Sequence, residues 1–317
     1  GVMPDSGYRI ISLSGTLVDE HLTIDDPADP GVEYPTDHHD YIPLAAGARA
    51  LLSYPLLTGQ DLTVLGDGYF EKDTIADGVI QEIDTNGALV WSWRTSDYFG
   101  YDEVTFPIRW EPTPEYAGGE VDAFHLNSLA VVGDGSGDYI VSARHLDAVF
   151  RVGRDNGDLE WILGSLAPDT PNKVGAQRLT IVNDPLGGPR RPHDARLTGD
   201  VLTLFDNRTE TGQPARAVAY RIDTAAATAT LLWQIDEPQG RSSGALGSNR
   251  VAPDGSVLVG WGSPIQPLFE EYDADHTSVM RITQVGGGVS YRIVKEPPGS
   301  FSAGLLRADA GGSAESP

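Results

Sequence analysis

The sequence predicts an all-β fold, a single β-propeller, and three observations predict it. Period-2 apolar patterns bounded by Gly, Asp, Asn and Pro dominate the 317 residues, and no window of about twelve residues carries a helical stripe. A strand–turn–strand unit recurs along the chain, and a second kind of hairpin precedes most of the recurrences. Two hairpins in a row make a four-stranded antiparallel sheet, the unit that closes into a propeller when repeated.

The outer hairpins are YRIISLSGTLVDEHLTI from Tyr8, GVIQEIDTNGALVWSW from Gly78, AVFRVGRDNGDLEWIL from Ala148, AVAYRIDTAAATATLLWQI from Ala217 and SVMRITQVGGGVSYRIV from Ser278. Ile11, Ile83, Val152, Ile222 and Ile282 align, with steps of 72, 69, 70 and 60. Asp-Thr-Asn-Gly and Asp-Asn-Gly suit hairpin turns because Asn and Gly tolerate positive φ. Trp91, Trp161 and Trp233 recur in the last strand and are expected to fill gaps between blades. The inner hairpins start at Asp40, His125, His193 and Asn249. The chain begins with an outer hairpin and ends with an inner-type stretch, FSAGLLRAD from Phe301, so its two ends are expected to complete one blade and close the ring. Five blades are clear, and residues 110–121 and 167–182 leave room for a sixth. Residues 55–72 and 264–277 read as long loops of the kind that cover a binding mouth. Residues 1–307 form the propeller and 308–317 a small, polar tail.

Composition narrows the partners. The net charge is −24, with three lysines against nineteen arginines. Such a surface repels nucleic acid and anionic membranes. An anionic substrate therefore needs a local arginine, since the global field is screened beyond about 10 Å. There is no cysteine, hence no disulfide, thiolate metal site or cysteine nucleophile. No apolar run is long enough to span a bilayer. No signal segment shows at Gly1, and secreted, periplasmic and cytoplasmic settings all stay open.

In a propeller the first strand of each blade lies nearest the axis, and the residues opening it face one rim of the channel. Here these are His38-His39-Asp40, His125-Leu126-Asn127, His193-Asp194 and Ser248-Asn249-Arg250. Three of the seven histidines hold this one topological position. Such a ring supplies a nucleophile, a general base and hydrogen-bond donors to one pocket. Arg144 ends a second strand, and its planar fork suits a tetrahedral oxyanion. His145 is expected to point to the opposite face in a structural role. Asp206 or Asn207 holds a histidine tautomer or caps a turn, and Asn207-Arg208-Thr209 is also a glycosylation sequon, a weak signal.

HLNS followed by a strand and SAR, then HDAR and LFDN, with HHDY upstream, resembles the arylsulfotransferase family. That resemblance implies a six-bladed propeller that moves a sulfuryl group from an aryl sulfate to a phenol with no nucleotide cofactor, and no metal site is expected beside Arg144. It implies His193 as the nucleophile that is transiently sulfated. His125, Asn127, Arg144 and His39 would bind sulfuryl oxygens or move protons. His38, Asp194, Asp206, Asn207, Asn249 and Arg250 would complete the substrate pocket. The chain departs from the family at Ser165, where a second glycine is usual, and it lacks the extra domain of longer members.

Three other readings use the same scaffold. The polar ring catalyses a cyclisation or hydrolysis on another small molecule. His39, His125 and His193 hold a metal, which Arg144 beside a cation disfavours. Or the propeller is a binding module without chemistry, in which case an exposed apolar face replaces the polar channel.

Overall fold

Strand Tyr139–Ala143 shows why the sheets stack. Tyr139, Val141 and Ala143 enter one core cluster while Ile140 enters the next. Strand Ala148–Val152 repeats the split, with Ala148, Phe150 and Val152 on one side and Val149 on the other. A sheet that is apolar on both faces must be covered on both faces. The computed structural model describes residues 7–12, 15–111, 119–265, 267–284 and 288–295, and among these the sheets cover one another in series.

Four antiparallel meanders follow in chain order. The first blade is Thr36–Pro43, Arg49–Ser53, Val79–Ile83 and Leu89–Arg94. The second is Leu126–Val131, Tyr139–Ala143, Ala148–Val152 and Leu159–Gly164. The third is Pro192–Thr198, Val201–Asp206, Arg216–Asp223 and Thr228–Asp236. The fourth is Ser248–Val251, Val257–Gly260, Phe269–Tyr272 and Ser278–Ile282. One core lies between the first and second blades, one between the second and third, and one between the third and fourth. The opening strands of successive blades touch, which sets them around a common axis as in a β-propeller.

The hairpin Tyr8–Ile11 and Leu17–His21 leans on the first blade. His21 Nδ1 lies 2.8 Å from the Tyr41 hydroxyl, and the Tyr8 and Tyr41 rings are 5.2 Å apart. Residues 290–293 bridge the fourth blade to the first: Gly247 N–H donates to Ser290 O (3.2 Å), and Arg292 Nη1 donates to Asp40 Oδ1 (2.7 Å). The ring-closing stretch from Phe301 and the tail lie outside the described residues.

Three expectations change. Ser278–Ile282 is the last strand of its blade, not the first strand of an outer hairpin, and its partner Phe269–Tyr272 comes from the supposed loop at 264–277. In the first and second blades a bulge comes just before the aligned residue, and the fourth blade's falls between Glu271 and Tyr272, so Tyr272 rather than Ile282 matches Ile83 and Val152. The turn of that hairpin precedes Ser278. The supposed loop at 55–72 contains strand Leu56–Gln60, which joins Asp73–Ala76, Val121–Asp122 and Ile108–Arg109 in a sheet with a parallel pair at its centre. The other segment considered for a sixth blade is a strap. Ile162 N–H donates to Gln177 O (2.8 Å) on the second blade's edge, and Thr180–Val182 pairs parallel with the third blade's last strand. Among the described residues no helix is long and apolar enough to cross a membrane.

Trp161 is 1% exposed and sits in the core between the second and third blades. Between the first and second it is Trp93, not Trp91, that is buried, with its N–H donated to Gly157 O (2.9 Å). Trp161→Ala is expected to cost about 3–5 kcal/mol, read from urea unfolding, and Trp91→Ala, at a half-buried position, clearly less.

Candidate active site

The opening strands of the first three blades start irregularly. Register shifts fall between Thr36 and Tyr41, Leu126 and Ser128, and His193 and Arg196, whereas Ser248–Val251 pairs without one. Bulges re-aim side chains. The opening strands with a bulge are those that carry a histidine at the axis. His125 (φ 54°) and Asp194 (φ 52°) also take left-handed backbone conformations, which are uncommon for such residues and frequent at functional sites.

All three histidines spend Nδ1 on a neighbour. His39 Nδ1 is 2.8 Å from Asp37 Oδ2, His125 Nδ1 is 2.6 Å from Asp122 Oδ2, and His193 Nδ1 is 2.7 Å from Asn207 Oδ1. Asn207 Nδ2 donates to Leu246 O (2.8 Å), so its oxygen faces His193 and the His193 proton sits on Nδ1. Nε2 of His193 is left as a lone pair, accepting a long bond from Leu246 N–H (3.3 Å). The rings of His39 and His125 meet edge to face at 4.9 Å. His38 stacks outside His39 at 4.5 Å with 47% of its side chain exposed.

Burial pushes His193 well below the ordinary imidazole value, and the charges of Arg144, His125 and His39 act in the same direction. The nucleophile candidate is therefore neutral. Burial also lowers His125, opposed by Asp122. Burial alone would raise Asp122, but His125 and His145 hold it well below the usual carboxylate range.

Arg144 opens a short 3-10 turn, Arg144–Leu146, after its strand has ended. Strand alternation no longer applies there, so His145 does not point away from it. His145 Nδ1 lies 2.7 Å from Asp122 O, an acceptor, so Nδ1 carries the proton and Nε2 accepts from Arg144 Nη1 (2.8 Å). Arg144 Nη2 donates to Gly244 O (2.9 Å). Burial and Arg191 together push Arg144 down to about 10, still cationic near neutrality. Asp122 thus organises both His125, through its side chain, and Arg144, through its carbonyl and His145.

The other expected site residues point elsewhere. Asn127 is fully buried, donating to Pro192 O (2.8 Å) and accepting from Ser142 Oγ, and so fixes the strand that carries His193. Asp206 accepts from Arg208 Nη1 (2.7 Å) and Arg216 Nε (2.8 Å), inside the third blade. Asn207 is fully buried, which rules out the sequon as a glycan site. Asn249 donates to Leu204 O (3.1 Å) and Val218 O (2.9 Å). Asp194 takes a two-pronged bond from Arg250 (2.7 and 2.6 Å), and with Asp40, Arg196 and Arg292 forms an ion network across the axis. Arg250 and Arg196 line a separate depression at the far ends of the opening strands.

Sequence reasoning missed Asp37, Asp122, Tyr54 and Trp110, which line a narrow cleft with His39 and His125. A signal existed for two of them, an aspartate two or three residues before the opening histidine. The groups Asp37-His38-His39 and Asp122-His125-His145 also have the donor types of a metal site, within 4.8 Å of one another. Both ring nitrogens of His145 are engaged, and Nδ1 of His39 and His125 bonds an aspartate. A cation would find the Nε2 atoms of His39 and His125, the half-exposed His38 ring and Asp122 Oδ1, which is buried without a hydrogen-bond partner, but the Arg144 charge bears on His125 and disfavours it.

Burial drops His145 to about 3. The unfolded chain then binds more protons from about pH 6.5 downward, so stability falls with acid across the window from about 6.5 to 3. His145→Gln is expected to reduce proton uptake on unfolding near pH ~5 by about one, measured from the slope of unfolding free energy against pH.

The sequence matches the family described as Arylsulfotransferase (ASST) over residues 8–293. No curated protein matches it. Solved structures are similar only distantly. A protein from Bacteroides caccae is 10% identical, with TM-score 0.43, over 88% of this chain and 75% of that one. BamB from Moraxella catarrhalis is 10% identical, with TM-score 0.36, over 88% and 83%. A putative 6-phosphogluconolactonase from Bacteroides fragilis is 12% identical, with TM-score 0.40, over 88% and 85%. Scores this low add nothing to the reading of this chain. The family match spans nearly all of the chain, both blade pattern and histidine ring included, and the protein belongs to the arylsulfotransferase family.

Proposed function

We propose that this protein transfers a sulfuryl group from an aryl sulfate to a phenol through a sulfated His193. Family membership supports aryl-sulfotransferase-type chemistry on small aromatic molecules. One observation supports the division of roles. A neutral amide backs His193, while carboxylates back His39 and His125. An imidazole backed by an amide is not helped to take a proton and keeps its lone pair for attack. An imidazole backed by a carboxylate is stabilised once protonated and suits acid–base work.

His193 Nε2 attacks sulfur, and the sulfur–oxygen bond to the aryl group breaks with its electron pair on the leaving oxygen. A carboxylate-backed imidazole, His39 or His125, enters the step as the imidazolium and gives its Nε2 proton to that oxygen. The phenol departs. The acceptor phenol then gives its proton to the same imidazole, its oxygen attacks sulfur, and the nitrogen–sulfur bond breaks to restore neutral His193. Donor and acceptor are chemically alike, so one group serves both half-reactions. Arg144 holds the sulfuryl oxygens, and the Leu246 N–H, already 3.3 Å from Nε2, is placed to donate to one of them. Fixed donors of this kind are worth about 3–4 kcal/mol each.

The kinetics are expected to be ping-pong. Incubation with 4-nitrophenyl sulfate should give a burst of 4-nitrophenol and a His193 peptide heavier by one sulfuryl group. His193→Ala should lose both, and an undiminished burst in that variant would rule His193 out. Asp122→Asn should lower turnover by about 100-fold in steady-state assays.

A further inference from the structure

We infer that Arg191 is a second guanidinium ligand for the substrate's tetrahedral oxyanion. This rests on the sulfuryl-transfer reading and adds a residue to it. Arg191 lies two positions before His193, and its carbonyl is 3.2 Å from His193 Nδ1. Its own backbone is left-handed (φ 59°). One edge of its guanidinium is committed, since Nη1 reaches both Asp147 carboxylate oxygens at 2.6 Å. Asp147 is fully buried and also accepts the Arg191 backbone N–H at 2.7 Å. The other edge is not committed. Nε of Arg191 is buried without a hydrogen-bond partner, although the residue is only 9% exposed.

Arg144 shows the same vacancy. Its Nη1 and Nη2 are bonded, and its Nε is buried without a partner. Both guanidinium groups lie over the Phe106 ring, Arg191 at 3.9 Å and Arg144 at 5.1 Å from its centre. They are close enough for the Arg191 charge to lower Arg144. Two like charges drawn together around one ring, each with an unspent N–H, are costly without an acceptor between them. A tetrahedral oxyanion answers both needs: its oxygens accept from the two Nε–H groups and its charge offsets the repulsion. Asp147 neutralises part of the pair and holds the Arg191 fork flat, so it is a positioning residue here.

Lysine at 191 keeps the charge for Asp147 but removes the Nε–H edge, so Arg191→Lys separates the anion contact from the clamp between blades. Isothermal titration of the intact protein with sodium sulfate, sodium phosphate and 4-nitrophenyl sulfate is the test. Arg191→Lys should bind sulfate and the aryl sulfate about 10- to 100-fold more weakly, with its melting temperature and circular dichroism unchanged. Equal affinities in Arg191→Lys and the parent would overturn the assignment, as would a parent that binds none of the three anions. A parent whose Arg191-dependent binding favours phosphate, or that binds the aryl sulfate without a phenol burst, would uphold the oxyanion site while refuting sulfuryl transfer.

Discussion

An imidazole can be buried at a propeller axis only if its ring N–H has an acceptor, and that requirement organises the rest of the site. His39, His125 and His193 each meet it with a residue close to them in space: Asp37, Asp122 and Asn207. Once Nδ1 is taken, Nε2 is the remaining reactive atom. The choice of acceptor then sets the chemistry, a carboxylate for proton traffic and an amide for a ring that must stay neutral. The same logic extends to His145, whose two nitrogens connect the Asp122 carbonyl to Arg144.

The fold provides rigidity for this arrangement. The second and third blades are apolar on both faces, and a core fills each interface from the first blade to the fourth, so the opening strands cannot shift independently. Across the axis Arg292 touches three blades, through Asp40 of the first, the Asn127 carbonyl of the second and Asp194 of the third. Asn127 ties the second blade to the Pro192 carbonyl next to His193. Several residues that a motif reading places on the substrate instead hold the blades in register. In a small site the two duties are hard to tell apart from residue type alone.

The acidity of the chain and the cationic pocket are compatible because they act over different ranges. Surface carboxylates are screened within about a Debye length. Arg144 is buried and near enough for its charge to lower His193, and it acts there in a region of low dielectric.

The sequence by itself determined the fold class, three of the blades, the inner hairpin of a fourth and the three axial histidines, because period-2 burial and turn chemistry are local and a repeated unit writes them several times. It misplaced the fourth blade's outer hairpin, whose turn precedes Ser278, and it read strand Leu56–Gln60 as loop because that strand pairs with partners outside its blade. Asp37 and Asp122 were legible as acids just upstream of the opening histidines. Only the tertiary structure decided that Asn207 rather than Asp206 serves His193, that His145 turns back to Arg144, and that Asp147 presents Arg191 from a neighbouring blade. Those contacts join residues on different strands or in a turn, where neither period nor spacing carries information, and packing alone fixes which polar atoms meet.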